Sequence, residues 1–344
     1  MRIALVGFGG VGKALVKLLS DKKKSLLTQG IDIRLNYVIN SREGVYDPMG
    51  IDCGSLLKHV EMGGQLSRFT QGVNTPVSFE TLLKNRDVDV MVEATPTNRE
   101  SGEPGLTHIR AALENGINVV TANKGPILLA YRTLNRLAVS KGVHLCAGCT
   151  TGGALPTINA GIFDLAGSNI HSIEGILNGT TNYILGRMEQ DNLGYEQALA
   201  EAQRMGIAET DPSLDVEGWD TAIKLLILVN ILMNEQRTLD GIRVEGITRV
   251  GRDDILRAKK EGKTLKLIGR AVKTPEGIDI SINLEKIGED NPLSGVNGTN
   301  KAVRYVSDSL GDLTIIGGAS GTIPAAASLL RDIINLGRGY RFSV

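Results

Sequence analysis

The stretch Arg2-Ile-Ala-Leu-Val-Gly7-Phe-Gly9-Gly-Val-Gly12-Lys-Ala-Leu-Val16 opens the chain and decides its fold. An apolar run with the character of a strand leads directly into Gly-x-Gly-x-x-Gly and then into the apolar spacing of a helix. In that context Gly7 makes a tight turn, Gly9 lets backbone approach a pyrophosphate, and Gly12 lets helix and strand pack closely. The helix N-terminus would direct its N–H groups at the phosphates. The stretch therefore predicts a Rossmann-type dinucleotide-binding unit, with contacts from Gly7, Phe8, Gly9, Gly10, Val11 and Gly12.

The second predicted strand bears on the choice of dinucleotide. It covers residues 31–39 and ends in Asn40-Ser41-Arg42. An acid usually closes this strand and bonds the ribose hydroxyls, but here Asp32 opens the strand and no acid closes it. The guanidinium of Arg42 suits a 2′-phosphate, whereas an ordinary surface arginine is the alternative. We therefore predict NADP as the cofactor, with NAD possible.

Strand and helix patterns alternate up to about residue 130, which is typical of a doubly wound parallel sheet in an α/β protein. Buried strands are predicted at 88–92 and 118–121, with a helix over 106–115 between them. Beyond about residue 155 helices mix with predicted strands at 171–177, 265–272 and 278–284. This mixture indicates a second domain of the α+β class. A glycine-rich loop at 317–321 precedes a predicted helix over 325–336, which could return to the dinucleotide.

Composition excludes several classes of protein. The chain has 344 residues, 38 Lys and Arg and 38 Asp and Glu, so its net charge is zero and no basic surface predicts binding to nucleic acid. No apolar run is long enough to cross a membrane, and the N-terminus enters a strand at once, so neither a membrane segment nor a signal peptide is predicted. Three cysteines without a disulfide framework favour a reducing cytoplasm.

A segment near the middle of the chain places five carboxylates before one lysine: Glu209, Asp211, Asp215, Glu217, Asp220 and then Lys224. Residues 220–233 have the pattern of a largely buried helix, on which Asp220 and Lys224 share a face. A lysine that enters a buried helix is costly unless it is paired or used. A lysine held beside carboxylates suits proton transfer to a substrate oxygen, and an ion pair at a helix start is the alternative.

Three further segments lie at predicted strand ends or strand-to-helix junctions: Glu93-Ala-Thr-Pro-Thr-Asn98, Ala122-Asn-Lys-Gly-Pro126 and Asn178-Gly-Thr-Thr-Asn-Tyr-Ile-Leu185. Together with the glycine motif and Asp220-x3-Lys224, in this order, they resemble homoserine dehydrogenase over essentially the whole chain. The resemblance is to a minimal form without a C-terminal regulatory domain or an N-terminal aspartate kinase. It implies NAD(P)-dependent, reversible oxidation of L-homoserine to L-aspartate 4-semialdehyde, in threonine and methionine biosynthesis, by a homodimer.

The resemblance also implies roles for individual residues. Lys224 matches the proton-transferring lysine and Lys124 a second active-site lysine. Glu209 matches the residue that binds the substrate amino group, and the predicted substrate-binding set is Glu209, Asp215, Asp220, Thr180 and Tyr183. The cofactor-binding set gains Thr95, Pro96, Lys124 and Gly321. By this assignment residues 1–130 bind the dinucleotide, residues 131–310 bind substrate and form the dimer, and residues 311–344 return to the first domain.

One stretch departs from the family pattern. Where the family has Glu-Ala-x-Val-x-Gly-Gly-Ile-Pro, this chain has Gly148-Cys-Thr-Thr-Gly-Gly-Ala-Leu-Pro156. The family glutamate aligns with Gly148, so a monovalent-cation site otherwise built from backbone carbonyls loses its charged ligand. We therefore predict no metal. The family threonine near the last loop is Ala325 here.

The same stretch supports two competing hypotheses. Cys149-Thr-Thr resembles the nucleophile segment of glyceraldehyde-3-phosphate-type dehydrogenases, with His171 as its base, which would make the chain an acylating aldehyde dehydrogenase. That hypothesis leaves Lys124 and Lys224 without a role. Cys146 and Cys149 could also be a redox pair or half a zinc site, but no second pair exists, and the pattern favours two buried thiols near a strand end. A non-catalytic nucleotide-binding regulator is the other class, and it would need neither the acid cluster nor the lysines.

Overall fold

The computed structural model describes residues 1–69 and 76–342, and the chain divides into two compact units. The first unit comprises Met1–Ala154 together with the C-terminal segment from Gly321, and the second comprises Leu155–Ser320. These divisions lie later in the chain than the predicted ones at 130 and 310. The reason is strand pairing: a strand at Leu145–Cys146 extends the first sheet, and a strand at Gly311–Gly317 belongs to the second.

The first unit begins with the predicted strand–turn–helix. Its elements up to the division are β1 (Arg2–Val6), α1 (Gly10–Thr28), β2 (Arg34–Ile39), β3 (Gly44–Tyr46), α2 (Cys53–Glu61), a 3₁₀ turn (Leu66–Arg68), α3 (Phe79–Asn85), β4 (Val90–Glu93), α4 (Gly105–Glu114), β5 (Asn118–Thr121), α5 (Lys124–Lys141), β6 (Leu145–Cys146) and α6 (Cys149–Gly152). β1, β4 and β5 are almost continuously buried, as expected for parallel strands covered on both faces.

The sheet of the first unit positions a ligand site. Among the described residues its strand order is β3-β2-β1-β4-β5-β6. The chain leaves β1 toward β2 on one side and returns with β4 on the other, and ligands bind at such a switch point beyond the carboxyl ends of the strands. β3 is the exception to the parallel arrangement: it pairs antiparallel with β2, because only a short turn joins the two strands.

The second strand is shorter than predicted and starts at Arg34. Asp32 therefore precedes it and forms an ion pair with Arg34 at 2.8 Å, away from the strand's carboxyl end.

The second unit is an antiparallel sheet with helices. Its elements are α7 (Thr157–Phe163), β7 (Ile170–Ile176), α8 (Gly179–Asp191), α9 (Tyr195–Arg204), α10 (Ser213–Val216), α11 (Trp219–Leu232), β8 (Arg243–Val244), α12 (Arg252–Lys260), β9 (Thr264–Thr274), β10 (Gly277–Ile287), β11 (Lys301–Ser307) and β12 (Gly311–Gly317). The strand order in the described part is β12-β11-β7-β9-β10-β8, and β8 alone pairs parallel, with β10. The chain then returns to the first unit with α13 (Thr322–Gly337), which packs on α1.

α11 carries the buried lysine segment into this core. Nearly all of its residues from Asp220 to Ile231 are buried, and it packs against β7 and β9. Gly269 on β9 favours this close contact, because a Cβ atom there would lie 3.1 Å from the side chain of Thr221. The buried environment predicted for Lys224 is therefore present.

Candidate active site

The three glycines of the first turn have distinct surroundings. Gly7 has a φ of +104°, and a Cβ atom there would lie 2.4 Å from the carbonyl of Ala94. A Cβ atom on Gly12 would lie 2.2 Å from the carbonyl oxygen of Gly7, so helix and strand meet only because that atom is missing. A Cβ atom on Gly9 would meet nothing within 4 Å. The turn is thus tightly built at Gly7 and Gly12 and open at Gly9, where a pyrophosphate needs room.

A cavity of about 990 Å³ opens at the carboxyl ends of β1, β2 and β4. The structure brings most of the predicted cofactor residues together on its wall: Gly7, Phe8, Gly9, Gly10, Val11, Arg42, Thr95 and Pro96. A cavity of this size accommodates a large ligand. Lys124 and Gly321 lie elsewhere in the first unit: Lys124 is the first residue of α5, and Gly321 precedes α13, whose Thr322 approaches Gly10.

Arg42 is exposed at the rim of this cavity. The side-chain oxygen of Asn40 accepts hydrogen bonds from the backbone N–H groups of Arg42 and Glu43, at 2.8 and 2.9 Å, which fixes the turn after β2. Within the described residues the guanidinium of Arg42 has no hydrogen-bond or ion-pair partner. An exposed, unpaired guanidinium on a ligand cavity is a ready partner for a phosphate.

An acid that was not predicted to line the site lies in the same turn. Glu43 directly follows Arg42 and also lines the cavity. Its carboxylate is engaged elsewhere: it accepts from the backbone N–H groups of Leu66 and Ser67, at 3.0 and 3.1 Å. The hydrogen bond from the Ser67 hydroxyl lowers the pKa of Glu43. Glu43 is therefore a charged anchor for residues 66–67, with both oxygens in use.

A buried carboxylate organises the loop after β4. Glu93 is fully buried, and it accepts hydrogen bonds from the backbone N–H of Thr95 at 2.9 Å and from the Thr121 hydroxyl at 2.9 Å. Burial raises the pKa of Glu93. The Asn123 side-chain amide donates to the Thr95 hydroxyl at 3.3 Å and its oxygen accepts from the Gly125 N–H, so Asn123 caps α5 at Lys124. This network fixes Thr95 and the start of α5. The only sequence signal for it is that Glu93, an acid, ends the apolar strand β4.

Lys224 is held from two sides in the second unit. Its Nζ lies 2.5 Å from Oδ2 of Asp220, one turn earlier on α11. It also donates a hydrogen bond of 2.8 Å to the carbonyl oxygen of Leu177, at the end of β7. The side chain of Lys224 is 14% exposed and that of Asp220 is 6% exposed. The lysine is therefore fixed and mostly buried, with its ammonium at the junction of β7 and α8.

Asn178 ties the carboxylates to that junction. It caps α8 by accepting from the Thr181 N–H at 2.9 Å, and its amide donates to Asp215 at 2.6 Å and to Asp220 at 2.8 Å. Burial raises the pKa of Asp215, and the negative charge of Asp220 raises it further. Asn178 begins the Asn-Gly-Thr-Thr-Asn motif, but its bridging role was not predicted, because its partners are 37 and 42 residues away in the chain.

The remaining predicted substrate residues have different surroundings. Thr180 is buried in the first turn of α8 and donates to the carbonyl oxygen of Ile207 at 3.1 Å. Glu209 is exposed in the loop between α9 and α10. Tyr183 turns toward α9 and donates to Glu201 at 2.8 Å. Asp215, Asp220, Thr180 and Lys224 thus gather around the α8 N-terminus, whereas the hydroxyl of Tyr183 is engaged with α9.

The residues of the acylating and the redox or zinc hypotheses lie outside the cluster around Lys224. Cys149 is 7% exposed and its thiol donates to the carbonyl oxygen of Ala325 at 3.4 Å, within the first unit. His171 is exposed on β7 in the second unit. Cys146 is fully buried, and that burial raises its pKa.

Gly148, where the family glutamate is missing, donates its N–H to the buried Asp332 carboxylate at 3.1 Å. Over residues 1–69 and 76–342 no group of three or more His, Cys, Asp or Glu side chains is arranged to hold a metal ion. No helix in the same residue ranges is long and apolar enough to span a membrane.

A mostly parallel sheet with an open glycine turn, a large cavity at its switch point, and a buried lysine–carboxylate cluster in the second unit define a dinucleotide-dependent oxidoreductase.

Comparison with known proteins specifies the family. The family model described as homoserine dehydrogenase matches residues 156–334, and the model described as the NAD binding domain of homoserine dehydrogenase matches residues 7–147. A homoserine dehydrogenase from Methanocaldococcus jannaschii is 38% identical over 98% of both chains. An NAD(+)-dependent homoserine dehydrogenase from Pseudomonas canavaninivorans is 36% identical over 97% of this chain and 96% of its own. A solved hyperthermophilic archaeal homoserine dehydrogenase mutant in complex with NADPH superimposes with a TM-score of 0.82 at 26% identity, covering 98% of each chain.

The chain therefore belongs to the homoserine dehydrogenase family. The predicted fold class, enzyme class and family are confirmed. Neither the acylating aldehyde dehydrogenase nor the non-catalytic regulator is supported by these relatives.

Proposed function

We propose that Lys224 moves the proton in the reversible oxidation of L-homoserine to L-aspartate 4-semialdehyde. The observation that carries this proposal is the double attachment of its Nζ, to Asp220 at 2.5 Å and to the carbonyl oxygen of Leu177 at 2.8 Å. An ammonium group has three N–H donors. Two are occupied within the described residues, so the third is available to a substrate oxygen.

The proton chemistry follows from this arrangement. When bound, the nicotinamide accepts the hydride in homoserine oxidation and supplies it in the reverse direction. In the reverse direction the Lys224 ammonium donates a hydrogen bond to the aldehyde oxygen and gives up its proton as that oxygen becomes a hydroxyl. In the oxidation the neutral amine takes the hydroxyl proton. Asp220 stabilises the charged form, and the surrounding burial strengthens that electrostatic effect. We assign Lys124, at the start of α5, as the second active-site lysine.

The substrate's own ammonium group is recognised by carboxylates of the second unit. Asp215 is partly buried, and burial raises its pKa, so a neighbouring cation would stabilise its ionised form. Glu209 is exposed in the loop just before α10 and provides a second carboxylate for the amino group. Thr180 lies on the first turn of α8, beside the Asn178 cap that holds Asp215. We propose this set, rather than Tyr183, as the principal binding site for the amino acid end.

The cofactor that we propose is NADP(H). The support is Arg42, whose guanidinium is exposed on the cavity wall, together with the carboxylate of Glu43, which is already bonded to residues 66–67. The carboxylate of Glu43 keeps its charge but is held by the backbone N–H groups of residues 66–67, and the guanidinium of Arg42 attracts a 2′-phosphate. NAD(H) remains usable because the glycine turn reads only the pyrophosphate that both cofactors share.

Assembly and location are proposed on the family resemblance and the cysteines. The family implies a homodimer and a role in threonine and methionine biosynthesis. Cys53, Cys146 and Cys149 form no disulfide within the described residues, which fits the reducing cytoplasm that we propose.

The decisive experiment is a spectrophotometric assay of nicotinamide reduction with purified protein, L-homoserine, and NADP⁺ or NAD⁺ in separate reactions. We expect reduction that depends on homoserine, and the reverse reaction with L-aspartate 4-semialdehyde. L-Serine and L-threonine are matched hydroxy amino acid controls. Absence of homoserine-dependent reduction with either cofactor would contradict the proposal.

A further inference from the structure

A fully buried lysine lies outside the residues assigned to the reaction. Lys266, on β9 of the second unit, is 1% exposed. Its Nζ donates to the side-chain oxygen of Asn182 at 3.1 Å and to the carbonyl oxygen of Val296 at 2.5 Å. Both partners are neutral, and Glu189, the charged group that acts on it from a distance, is itself bonded to Thr264 at 2.6 Å. Burial accordingly lowers the pKa of Lys266.

Asn182 connects this lysine to one short segment. Its amide nitrogen donates to three backbone carbonyls, of Val296 at 3.2 Å, Gly298 at 3.0 Å and Asn300 at 3.1 Å. Carbonyls only accept and an ammonium only donates, so the amide can be oriented in one way: nitrogen toward the carbonyls and oxygen toward Lys266. Lys266 and Asn182 together therefore hold residues 296–300, which we call the 296–300 segment.

The 296–300 segment rests on the part of α8 that carries the substrate-site residues. A Cβ atom on Gly179 would lie 2.6 Å from the carbonyl oxygen of Thr299, so the segment and the first turn of α8 are in direct backbone contact. Gly179 stands between Asn178, which bridges Asp215 and Asp220, and Thr180. A displacement of the segment would therefore disturb the first turn of α8 and the carboxylates attached to it.

We propose that Lys266 and Asn182 are a positioning pair, which seats the 296–300 segment against α8 and so sets the geometry of the homoserine-binding carboxylates. A buried ammonium bonded only to neutral groups is expensive, and an apolar side chain of similar length would avoid that cost. What the ammonium adds is a donor strong enough to fix a backbone carbonyl and the amide of Asn182 at once. This inference rests on the proposed function, since it concerns the binding of the same substrate.

The test compares Lys266→Met with wild type in three measurements. We expect the KM for homoserine to rise on the order of 10- to 100-fold, as for a small misplacement of binding groups, with a much smaller change in kcat. The KM for NADP⁺ should stay unchanged, because the glycine turn belongs to the other unit. Hydrogen–deuterium exchange should accelerate in the 296–300 segment and at the start of α8. An unchanged KM for homoserine together with unchanged exchange would overturn the proposal.

Two further variants and one control variant keep the test decisive. Asn182→Ser removes the amide, and with it one of the two acceptors of the Lys266 ammonium, and should raise the same KM. The double variant should raise the KM for homoserine no more than the single variant with the larger effect does, because both residues act through one segment. If Lys266→Met does not fold, Asn182→Ser alone decides, and a wild-type KM in that variant refutes the pair. Lys286→Met removes a half-exposed lysine from the neighbouring strand β10. This control should leave the KM for homoserine and the hydrogen–deuterium exchange as they are in wild type. A wild-type enzyme inactive on homoserine would contradict the proposed function instead, whatever the variants do.

Discussion

Asp220 and Lys224 lie one turn apart on α11, with 2.5 Å between the Asp220 carboxylate oxygen Oδ2 and the Lys224 ammonium nitrogen Nζ. The pair is largely buried, and the carbonyl oxygen of Leu177 accepts a second hydrogen bond from the same ammonium. An i, i+4 ion pair on a helix surface would contribute little. Here the burial and the strand-end carbonyl fix the ammonium at the place where the second unit gathers its carboxylates.

Lys224→Met tests the proton-transfer role. Methionine keeps an apolar stem of similar length but has no proton to give, so we expect kcat to fall by about two to four orders of magnitude. Binding of NADP(H), measured by fluorescence titration, should not change. Lys260→Met, which removes an exposed lysine from α12, is the control and should behave as wild type. A Lys224→Met enzyme with nearly full turnover would contradict the assignment.

Arg42→Ala tests the cofactor preference. Loss of a charge-assisted contact to the 2′-phosphate is worth roughly 1.5–3 kcal/mol, or about one to two orders of magnitude in NADP(H) affinity. NAD(H) affinity should change little, because that cofactor has no phosphate there. Arg110→Ala, on the exposed face of α4, controls for a general loss of positive charge. Equal weakening of both cofactors would identify Arg42 as structural, and a wild-type preference for NAD(H) would refute the proposal.

Gly9→Ala and Gly12→Ala form a matched pair within one turn. The added methyl group meets nothing at Gly9 but would lie 2.2 Å from a backbone oxygen at Gly12. We expect Gly9→Ala to keep its thermal midpoint and to bind either cofactor much more weakly, since its methyl group occupies the room left for the pyrophosphate. Gly12→Ala should lower the midpoint itself. The opposite pattern in calorimetry and cofactor titration would show that Gly9 is not open toward the ligand.

Asp215→Asn separates stability from binding. Burial raises the pKa of Asp215, so the folded state holds that proton more tightly than the unfolded state. The associated stabilisation is present at low pH and is lost as pH rises through the folded-state pKa. The amide variant should therefore unfold at higher urea concentration than wild type at neutral pH, with a smaller gain in acid, while its KM for homoserine rises. Asp211→Asn is the control: that exposed acid has a lowered pKa, set by Ser213, and its loss should give no such gain.

Cys149→Ala distinguishes this family from the acylating alternative. Hydride transfer to a free aldehyde needs no covalent intermediate, so we expect the variant to retain most of its homoserine oxidation. Cys146→Ala, which removes a neighbouring buried thiol, is the comparison. Inactivation of the Cys149 variant alone, with an acyl-enzyme trapped on the wild-type protein and seen by mass spectrometry, would restore the alternative.

The local patterns of the sequence were sufficient for the dinucleotide turn, for several helices and strands, and for part of the site. Glycine spacing after an apolar strand predicted the dinucleotide turn, because a strand, a tight turn and a helix that pack around a pyrophosphate require glycine at the same three positions. The apolar run after Asp220 predicted a buried helix, and the four-residue spacing placed Lys224 on the same face. The short strand β3 was not predicted, and its antiparallel pairing follows from a turn too short for a crossover.

Only the tertiary structure decided which distant side chains meet. Asn178 reaches Asp215 and Asp220, Glu93 reaches Thr121, and Lys266 reaches Asn182 and Val296. These contacts connect segments that are 28 to 84 residues apart. Helix and strand periodicities arise from neighbours a few residues away, so a sequence displays them directly. A buried hydrogen bond between distant segments depends on how whole elements pack. A buried polar group without a partner is costly, so it bonds to a polar group that the packing places beside it, and the local sequence does not show which one that is.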